Sequence, residues 1–213
     1  MNMSLMVHVV DDDESFRKSV GRLLRACGFD VKEYESAQEF LAAGAEPGCI
    51  LLDVRMPRMG GLELQRRLAE TASIMPVVFL SGHAEVPDSV TAMKAGAEDF
   101  LSKPARKTQL VDAIMRAFDR CRENSERRSK SDALHARIET LTPRERQVFA
   151  LVAEGKLNKQ VAYELSTTER TVKAHRQKVM SKLRVKSFAE LVTFAEHLKS
   201  DAAPPPSQRY EHT

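Results

Sequence analysis

The first half of the chain alternates short apolar runs with longer amphipathic stretches. The apolar runs predict five strands, which read LMVHVV, FDVKEY, CILLDV, PVVFLS and DFLS. Apolar residues recur at helical spacing near residues 14–27, 36–43, 61–71, 86–95 and 107–122. Strand-to-helix cycles of about twenty to thirty residues are typical of a parallel sheet with helices on both faces. The pattern therefore predicts an α/β fold with a doubly wound, five-stranded parallel sheet.

From Leu141 onward the pattern is purely helical. Four helices are predicted, within residues 141–155, 158–166, 167–183 and 187–198. Thr142 followed by Pro143 has the chemistry of a helix start. The short second helix and the amphipathic third predict a helix-turn-helix over about Asn158 to Gln177. The second half is thus predicted to be an all-α, four-helix domain.

Between the two halves lies a charged segment without Gly or Pro. We predict a domain at 1–122, a solvated helical linker at 123–140, a second domain at 141–199 and a disordered, proline-rich tail at 200–213. The linker helix either stands alone or continues the preceding helix. Leu134, Ile138 and Leu141 lie at helical spacing, so a weak dimer seam along the linker is an open alternative.

Charge separates the halves further. The net charge of the 213 residues is +3. Residues 1–123 hold 16 Lys/Arg and 19 Asp/Glu, whereas residues 124–213 hold 17 Lys/Arg and 11 Asp/Glu. The first half is therefore acidic and the second basic, which makes nucleic acid a candidate partner of the second half.

The sequence predicts a cytoplasmic protein. No apolar run approaches the roughly 20 residues that a membrane-spanning helix needs, and the N-terminus lacks the features of a signal peptide. The three cysteines, Cys27, Cys49 and Cys121, are odd in number and scattered. They fit reduced thiols better than a disulfide framework or a zinc site.

Polar residues stand at the carboxyl ends of four predicted strands. Strand one is followed by Asp11 and Asp12, strand three ends in Asp53, and strands four and five lead to Ser81 and Lys103. Ligand sites of doubly wound sheets gather at this edge. A crevice with three carboxylates suits Mg²⁺. Metal and lysine together would neutralise a phosphoryl group in transfer to a carboxylate.

Four motifs, VVDDDES, LLDVRMPRMGG, FLSGHAE and AMKAGAEDFLSKP, resemble the receiver domain of two-component response regulators over about residues 5–122. The resemblance implies that Asp53 accepts a phosphoryl group from a histidine kinase. It implies that Asp12, Asp53 and the backbone carbonyl of Arg55 bind Mg²⁺, with Asp11 acting mainly through a metal-bound water.

The resemblance also assigns the residues that respond to phosphorylation. Lys103 would bind a phosphoryl oxygen, Ser81 would hydrogen-bond the phosphoryl group, and Phe100 would swing inward. The face between residues 84 and 106 would then change shape. The Lys103–Pro104 peptide bond is often cis in this family. Asp13, in contrast, is expected only to begin the following helix.

Residues 170–186 contain seven Lys/Arg and no acidic residue. Such a basic amphipathic helix serves DNA, an acidic membrane or simple solvation, and the preceding short helix and turn favour DNA. The segments LTPRERQV, EGKLNKQVA and TVKAHRQKVMSKL resemble the LuxR-type helix-turn-helix of NarL/FixJ response regulators. Ser166 stands where many relatives have a turn glycine.

This second resemblance implies two kinds of DNA contact. Base edges in the major groove would be met by Lys173, Ala174 and Gln177. Phosphates would be met by Arg176, Lys178, Thr171 and Lys159.

We therefore expect a phosphorylation-controlled transcriptional regulator that is not an enzyme. Its expected partners are a histidine kinase, double-stranded DNA, a second copy of the chain and RNA polymerase, without a membrane. An aspartate-dependent phosphatase with Asp11 as nucleophile is a weaker alternative, because it leaves Asp53 and Lys103 without a joint role. A DNA-binding protein independent of phosphorylation is the other alternative, with the N-terminal domain serving as a dimer or ligand module.

Overall fold

A computed structural model describes residues 6–44, 46–71, 73–82 and 86–201. These residues divide into two compact units, one ending at Ser125 and the other beginning at Glu126. Several predicted features lie outside the described residues: the first residue of the first strand, residues 84 and 85 of the face expected to respond, and residues 202–213 of the tail.

The N-terminal unit is built on one parallel sheet. Its strands run in the order β2-β1-β3-β4-β5. Parallel pairing is continuous across the sheet, with Val9 opposite both Glu33 and Leu51, and Leu52 opposite Phe79. The strand bounds are Met6–Val10 (β1), Asp30–Tyr34 (β2), Cys49–Asp53 (β3), Val77–Ser81 (β4) and Asp99–Ser102 (β5).

Helices cover both faces of this sheet, which confirms the predicted doubly wound α/β class. Their bounds are Glu14–Ala26 (α1), Ala37–Ala42 (α2), Gly61–Glu70 (α3), Val86–Lys94 (α4) and Lys107–Glu139 (α5). One core joins the sheet to α2, α3 and α4, and a second core joins it to α1 and α5.

Strand residues alternate between the two cores. Ile50 and Leu52 of β3 belong to the first core, whereas Cys49 and Leu51 belong to the second. All four are at most 1% exposed. Because both sides of the strand are covered, its sequence is a continuous apolar run. Each fully buried Leu or Ile stabilises the fold by roughly 1.5–3 kcal/mol.

Side-chain caps define where the first two helices begin. The Asp13 carboxylate accepts from the Phe16 backbone N–H at 3.0 Å, and the Ser36 hydroxyl accepts from the Glu39 backbone N–H at 3.2 Å. Asp13 thus begins α1, as expected, because its oxygen satisfies a backbone donor that has no partner within the helix.

The predicted linker is helical, and of the two alternatives that the sequence left open it is the continuation of α5. The helix α5 is continuous over 33 residues and ends at Glu139. Leu134 and Ile138 are partly buried against the core of the C-terminal unit, and Leu141 is 3% exposed in that core. The apolar spacing that left a dimer seam open is therefore used for packing within the chain.

Four further helices follow in the C-terminal unit, as predicted. Their bounds are Pro143–Ala153 (α6), Asn158–Glu164 (α7), Glu169–Leu183 (α8) and Phe188–Asp201 (α9). Thr142 caps α6 in a reciprocal arrangement with Glu145, and Thr168 caps α8. These helices enclose one apolar core that includes Val148, Val161 and Leu191.

In the part of the chain that the structure describes, no helix is long and apolar enough to cross a membrane.

Candidate functional site

Two buried carboxylates and one ammonium meet at the carboxyl edge of the sheet. Asp11 directly follows β1, Asp53 ends β3, and Lys103 follows β5. The Lys103 Nζ donates to Asp11 Oδ2 and to Asp53 Oδ1, each at 2.6 Å. A parallel sheet aligns the ends of its strands, so residues far apart in sequence become neighbours here.

Burial of these charged side chains changes the pKa values of Asp11 and Lys103. Asp11 is 2% exposed and Asp53 is 7% exposed. Burial raises the pKa of Asp11, although the hydrogen bond and charge of Lys103 act to lower that pKa. Burial opposes the charge of Lys103, but its hydrogen bonds to Asp11 and Asp53 prevail and raise the pKa of the ammonium.

Backbone groups orient both carboxylates. The Asp13 N–H donates to Asp11 Oδ1 at 3.0 Å, and the Arg55 N–H donates to Asp53 Oδ2 at 2.7 Å. The Arg17 guanidinium donates to the backbone oxygen of Asp11 at 2.6 Å. Every one of the four carboxylate oxygens of Asp11 and Asp53 therefore accepts a hydrogen bond, which preorganises the pair.

The donor set fits a hard divalent cation. Two buried carboxylates share one ammonium, and the exposed Asp12 adds a third carboxylate at the same strand end. Carboxylate and carbonyl oxygens are the ligands that Mg²⁺ prefers. Among the described residues, however, no three acidic, histidine or cysteine side chains are close enough together to hold a metal ion. Asp11 and Asp53 both accept hydrogen bonds from Lys103.

The other predicted response residues lie near the same edge. Ser81 ends β4 and is 3% exposed, and its backbone oxygen accepts from the Lys103 N–H at 2.8 Å. Phe100 is partly buried and stacks on Phe79, with ring centroids 5.8 Å apart. The Lys103–Pro104 peptide bond is cis.

Two contacts of this site were not predicted from the sequence. The Phe16 ring lies beside Lys103, whose Nζ is 4.1 Å from the ring centroid, a cation–π geometry. Gly61 is packed so closely that an added Cβ would collide with the carbonyl oxygen of Asp53. No sequence signal identifies the Phe16 contact, whereas the Gly60–Gly61 pair after the Asp53 motif was a visible sign of close packing.

In the C-terminal unit, α7 and α8 form a helix-turn-helix. Ser166 lies in the turn with a φ of 49°, the left-handed conformation that favours glycine. The Thr167 N–H donates to the Ala162 backbone oxygen at 2.9 Å and closes the turn. The serine noted in the sequence therefore carries a backbone conformation that is unfavourable for a residue with a side chain.

The helix α8 has one buried face and one exposed basic face. Val172, Val179 and Leu183 are at most 1% exposed in the core. On the other face, the predicted base-contacting and phosphate-contacting residues are exposed: Lys173, Ala174, Gln177, Lys178 and Thr171, with Lys159 exposed on α7.

Arg176 differs from the other predicted phosphate contacts. Its guanidinium donates to Asn158 Oδ1 at 2.7 Å and lies 5.9 Å from the centroid of the Phe188 ring. Arg176 is only partly exposed and joins the start of α7 to α8. In this conformation the Arg176 guanidinium contacts Asn158 and Phe188 of the same unit.

The fold and these two sites define a class: a sheet with an acidic edge joined to a DNA-binding helix-turn-helix. Comparison of the sequence with protein families agrees. Residues 7–115 match the family described as "Response regulator receiver domain", and residues 139–195 match "Bacterial regulatory proteins, luxR family".

Similar proteins extend over nearly the whole chain. The response regulator protein TmoT of Ectopseudomonas mendocina is 42% identical over 91% of this chain and 89% of its own length. The transcriptional regulatory protein FixJ of Rhizobium meliloti (strain 1021) is 42% identical over 89% of this chain and 94% of its own. The solved structure of the response regulator StyR is similar with a TM-score of 0.73 at 43% identity, covering 91% of this chain and 98% of that one.

The chain therefore belongs to the two-component response regulators of the NarL/FixJ class. It is a phosphorylation-controlled regulator of transcription, with an N-terminal receiver domain and a C-terminal LuxR-type helix-turn-helix domain. The receiver domain implies a histidine kinase as partner, and the helix-turn-helix domain implies DNA binding. Receiver domains generally bind Mg²⁺ at the phosphorylation site.

Proposed function

We propose that Asp53 is the phosphoryl acceptor of this regulator. The observation that carries the proposal is the Lys103 ammonium, which bridges Asp53 and Asp11 at 2.6 Å each. A cation held against a buried carboxylate is suited to receive the charge of an incoming phosphoryl group. We place the receiver domain at 1–122, the linker at 123–140 and the DNA-binding domain from 141 to the end of α9 at Asp201, two residues beyond the predicted end of that domain.

In the proposed reaction, an Asp53 carboxylate oxygen attacks the phosphorus of a phosphohistidine on the kinase. The new O–P bond forms as the P–N bond breaks, and the electron pair leaves with the imidazole, which takes up a proton. Lys103 neutralises a phosphoryl oxygen. Asp12, Asp53 and the Arg55 carbonyl would hold Mg²⁺, with Asp11 acting through a metal-bound water. When bound, the metal supplies positive charge that stabilises the transferring group.

Phosphorylation would bias Ser81 and Phe100 towards the phosphoryl group and alter the face that contains α4. This face carries an exposed apolar stripe, since Val86, Val90 and Met93 are 75%, 45% and 47% exposed. Val86, Val90 and Met93 lie on one side of the helix. The stripe supports dimerisation with a second copy, which would change DNA binding. Release of the DNA-binding domain from the receiver domain is the alternative way in which phosphorylation would change DNA binding.

On DNA, Lys173, Ala174 and Gln177 would meet base edges, and the surrounding basic residues would meet phosphates. A two-fold dimer would bind half-sites about ten base pairs apart, or a multiple of that spacing. We propose that the regulator acts in the cytoplasm, has no enzymatic role of its own, and contacts RNA polymerase at its promoters.

The proposed function predicts a strict dependence on divalent metal. With acetyl phosphate and Mg²⁺, the wild-type chain should gain one phosphoryl group and should bind duplex DNA selected from a random library more tightly than before. Excess EDTA should abolish both changes, because the buried carboxylates would lose the added positive charge. Phosphate-affinity gels and fluorescence anisotropy measure the two effects. DNA affinity that stays constant while phosphorylation proceeds would favour a phosphorylation-independent DNA-binding protein.

A second prediction concerns the exposed face of α8. Lys173→Ala should weaken binding to the selected duplex by roughly 1–3 kcal/mol, because a lost bidentate base contact has this cost. The preference at one base position should relax at the same time. Anisotropy titrations against the selected duplex and its single-base variants measure both effects. Lys130→Ala, an exposed lysine of the linker helix, is the control, and unchanged affinity in Lys173→Ala would exclude Lys173 from the interface.

A further inference from the structure

The end of the linker helix is fastened to the C-terminal end of the predicted DNA-reading helix. The Lys182 ammonium, in the last turn of α8, donates to the backbone oxygen of Thr140 at 2.9 Å. The Arg137 guanidinium, in the last turn of α5, donates to the backbone oxygen of Leu183 at 3.4 Å. A cationic side chain at the end of each helix therefore donates a hydrogen bond to a backbone oxygen at the end of the other helix.

A buried carboxylate holds Lys182 in this position. Glu145 is 3% exposed, and its Oε2 accepts from Lys182 at 2.6 Å and from the Thr142 N–H at 2.9 Å. These bonds, that of Lys182 first, lower the pKa of Glu145 to about 2, so the carboxylate is ionised at neutral pH. Because a buried charge without its partner is costly, Lys182 is kept beside Glu145.

Apolar packing places the linker end in the same unit. Leu134 and Ile138 pack against the core that contains Leu183 of α8. Arg146 of α6 donates to the backbone oxygens of Leu141 at 3.2 Å and Glu139 at 3.3 Å. The last turns of α5 are thus part of the structure that carries α8.

We propose that Arg137, Glu145 and Lys182 are positioning residues that set the orientation of α8 relative to the end of the linker helix. Together with Thr140 and Leu183 they form what we call the linker clamp. The inference rests on the proposed function, because it takes α8 as the DNA-reading helix. Base recognition needs side chains of α8 within hydrogen-bonding distance of base edges, so the clamp contributes to specific affinity without touching DNA.

Because the clamp joins the end of α5 to the end of α8, a movement of the linker helix is transmitted directly to the DNA-reading helix. Two ends joined by charged hydrogen bonds and a shared core move together more readily than two ends joined by a flexible loop. Specific DNA affinity then depends on how the end of α5 is held. By linkage, specific DNA binding in turn favours one arrangement of that end.

A phosphate contact by Lys182 is the rival explanation, since its side chain is 35% exposed. The two roles differ in their salt dependence. Loss of a phosphate contact weakens all duplexes about equally and reduces the slope of log affinity against log salt by about 1. Loss of a positioning residue weakens specific binding selectively and leaves that slope unchanged.

The test uses the full chain, a duplex selected from a random library by the wild type, and a scrambled duplex of the same composition. Arg137→Ala breaks one bond of the clamp and keeps the buried Glu145–Lys182 pair, so the fold is preserved. Lys182→Gln with Glu145→Gln removes the pair without leaving a buried charge. Lys130→Ala, an exposed lysine earlier on the same linker helix, is the matched control.

We expect Arg137→Ala and the double variant each to lose roughly tenfold in affinity for the selected duplex, the size of one hydrogen bond to a charged group. Affinity for the scrambled duplex and the salt slope should stay at wild-type values, and Lys130→Ala should resemble the wild type. Lys182→Arg keeps the positive charge beside Glu145 and should therefore retain most of the wild-type affinity for the selected duplex.

Two results would overturn the inference. The first is unchanged specific affinity in both Arg137→Ala and the double variant, with circular dichroism confirming the fold. The second is a parallel loss on both duplexes with a smaller salt slope, which would make these residues phosphate contacts. In either case, selective binding by the wild type that Lys173→Ala weakens would leave the proposed function standing.

Discussion

Asp53→Asn is expected to abolish phosphorylation of the chain by acetyl phosphate. The amide nitrogen is not a nucleophile towards phosphorus, and the substitution removes one of the two negative charges that face Lys103. Asparagine has nearly the same shape and retains one oxygen that accepts from Lys103, so the fold should persist. Intact-protein mass spectrometry after incubation with acetyl phosphate and Mg²⁺ measures the modified fraction.

Asp13→Asn is the matched control for this experiment. It makes the same chemical change two residues from Asp11, but Asp13 caps α1, and asparagine is an equally good cap. Its phosphorylation should therefore match the wild type. Modification of Asp53→Asn to the wild-type extent would identify another acceptor and remove the central assignment of the proposed function.

Lys103→Met should cause the largest loss of stability among single substitutions at the acidic site. It leaves Asp11 and Asp53 buried and without their shared cation, and removal of one partner from such a cluster costs about 3 kcal/mol at neutral pH. Urea unfolding of the full chain, followed by circular dichroism, measures the free energy of unfolding. Lys94→Met, at an exposed position of α4, should change it little.

This loss should depend on pH in a defined direction. In the wild type the pKa of Lys103 is raised, so its contribution is fully present below the ordinary value of 10.5 and disappears only as the pH rises through the raised pKa. In the variant, the pKa of Asp11 should rise further, because burial raises it and the opposing hydrogen bond and charge of Lys103 are gone. The stability deficit should therefore shrink as the pH falls from 7 to 5 and Asp11 takes up a proton.

Added Mg²⁺ provides a second check on the same variant. If the carboxylates bind the metal, millimolar Mg²⁺ should stabilise Lys103→Met more than the wild type, because it supplies the missing positive charge. A variant as stable as the wild type at pH 7 without metal would mean that Asp11 and Asp53 do not require a cation.

The strands and helices of the receiver domain could be predicted because local pattern and burial agree. Residues of β3 are apolar on both faces, and Asp13 and Ser36 are strong caps, so these boundaries shift by only a residue or two from prediction. The sequence predicted a helical linker but left open whether it continues α5, because the linker has helical propensity but little amphipathic pattern. Its last turns are stabilised by burial of Leu134 and Ile138 against a core formed later in the chain.

The acidic site was only partly visible in the sequence. Strand ends identify Asp11, Asp53 and Lys103 as neighbours, since parallel strands align their carboxyl ends. The same rule does not say which atoms bond, and the structure has Lys103 bridging both carboxylates while Asp12 is exposed. Their roles in phosphoryl transfer stay predictions until the Asp53 and Lys103 variants are measured.

The sequence by itself determined the two-domain class, the chemistry at the strand ends and the basic face of α8, because each depends on residue type and local spacing. Only the tertiary structure decided the contacts of Phe16 with Lys103, Arg176 with Asn158, and Lys182 with Glu145 and Thr140. Long charged and aromatic side chains reach many neighbours, and which one they meet depends on how separate helices pack. The pattern of apolar and polar residues along the chain therefore does not predict these contacts.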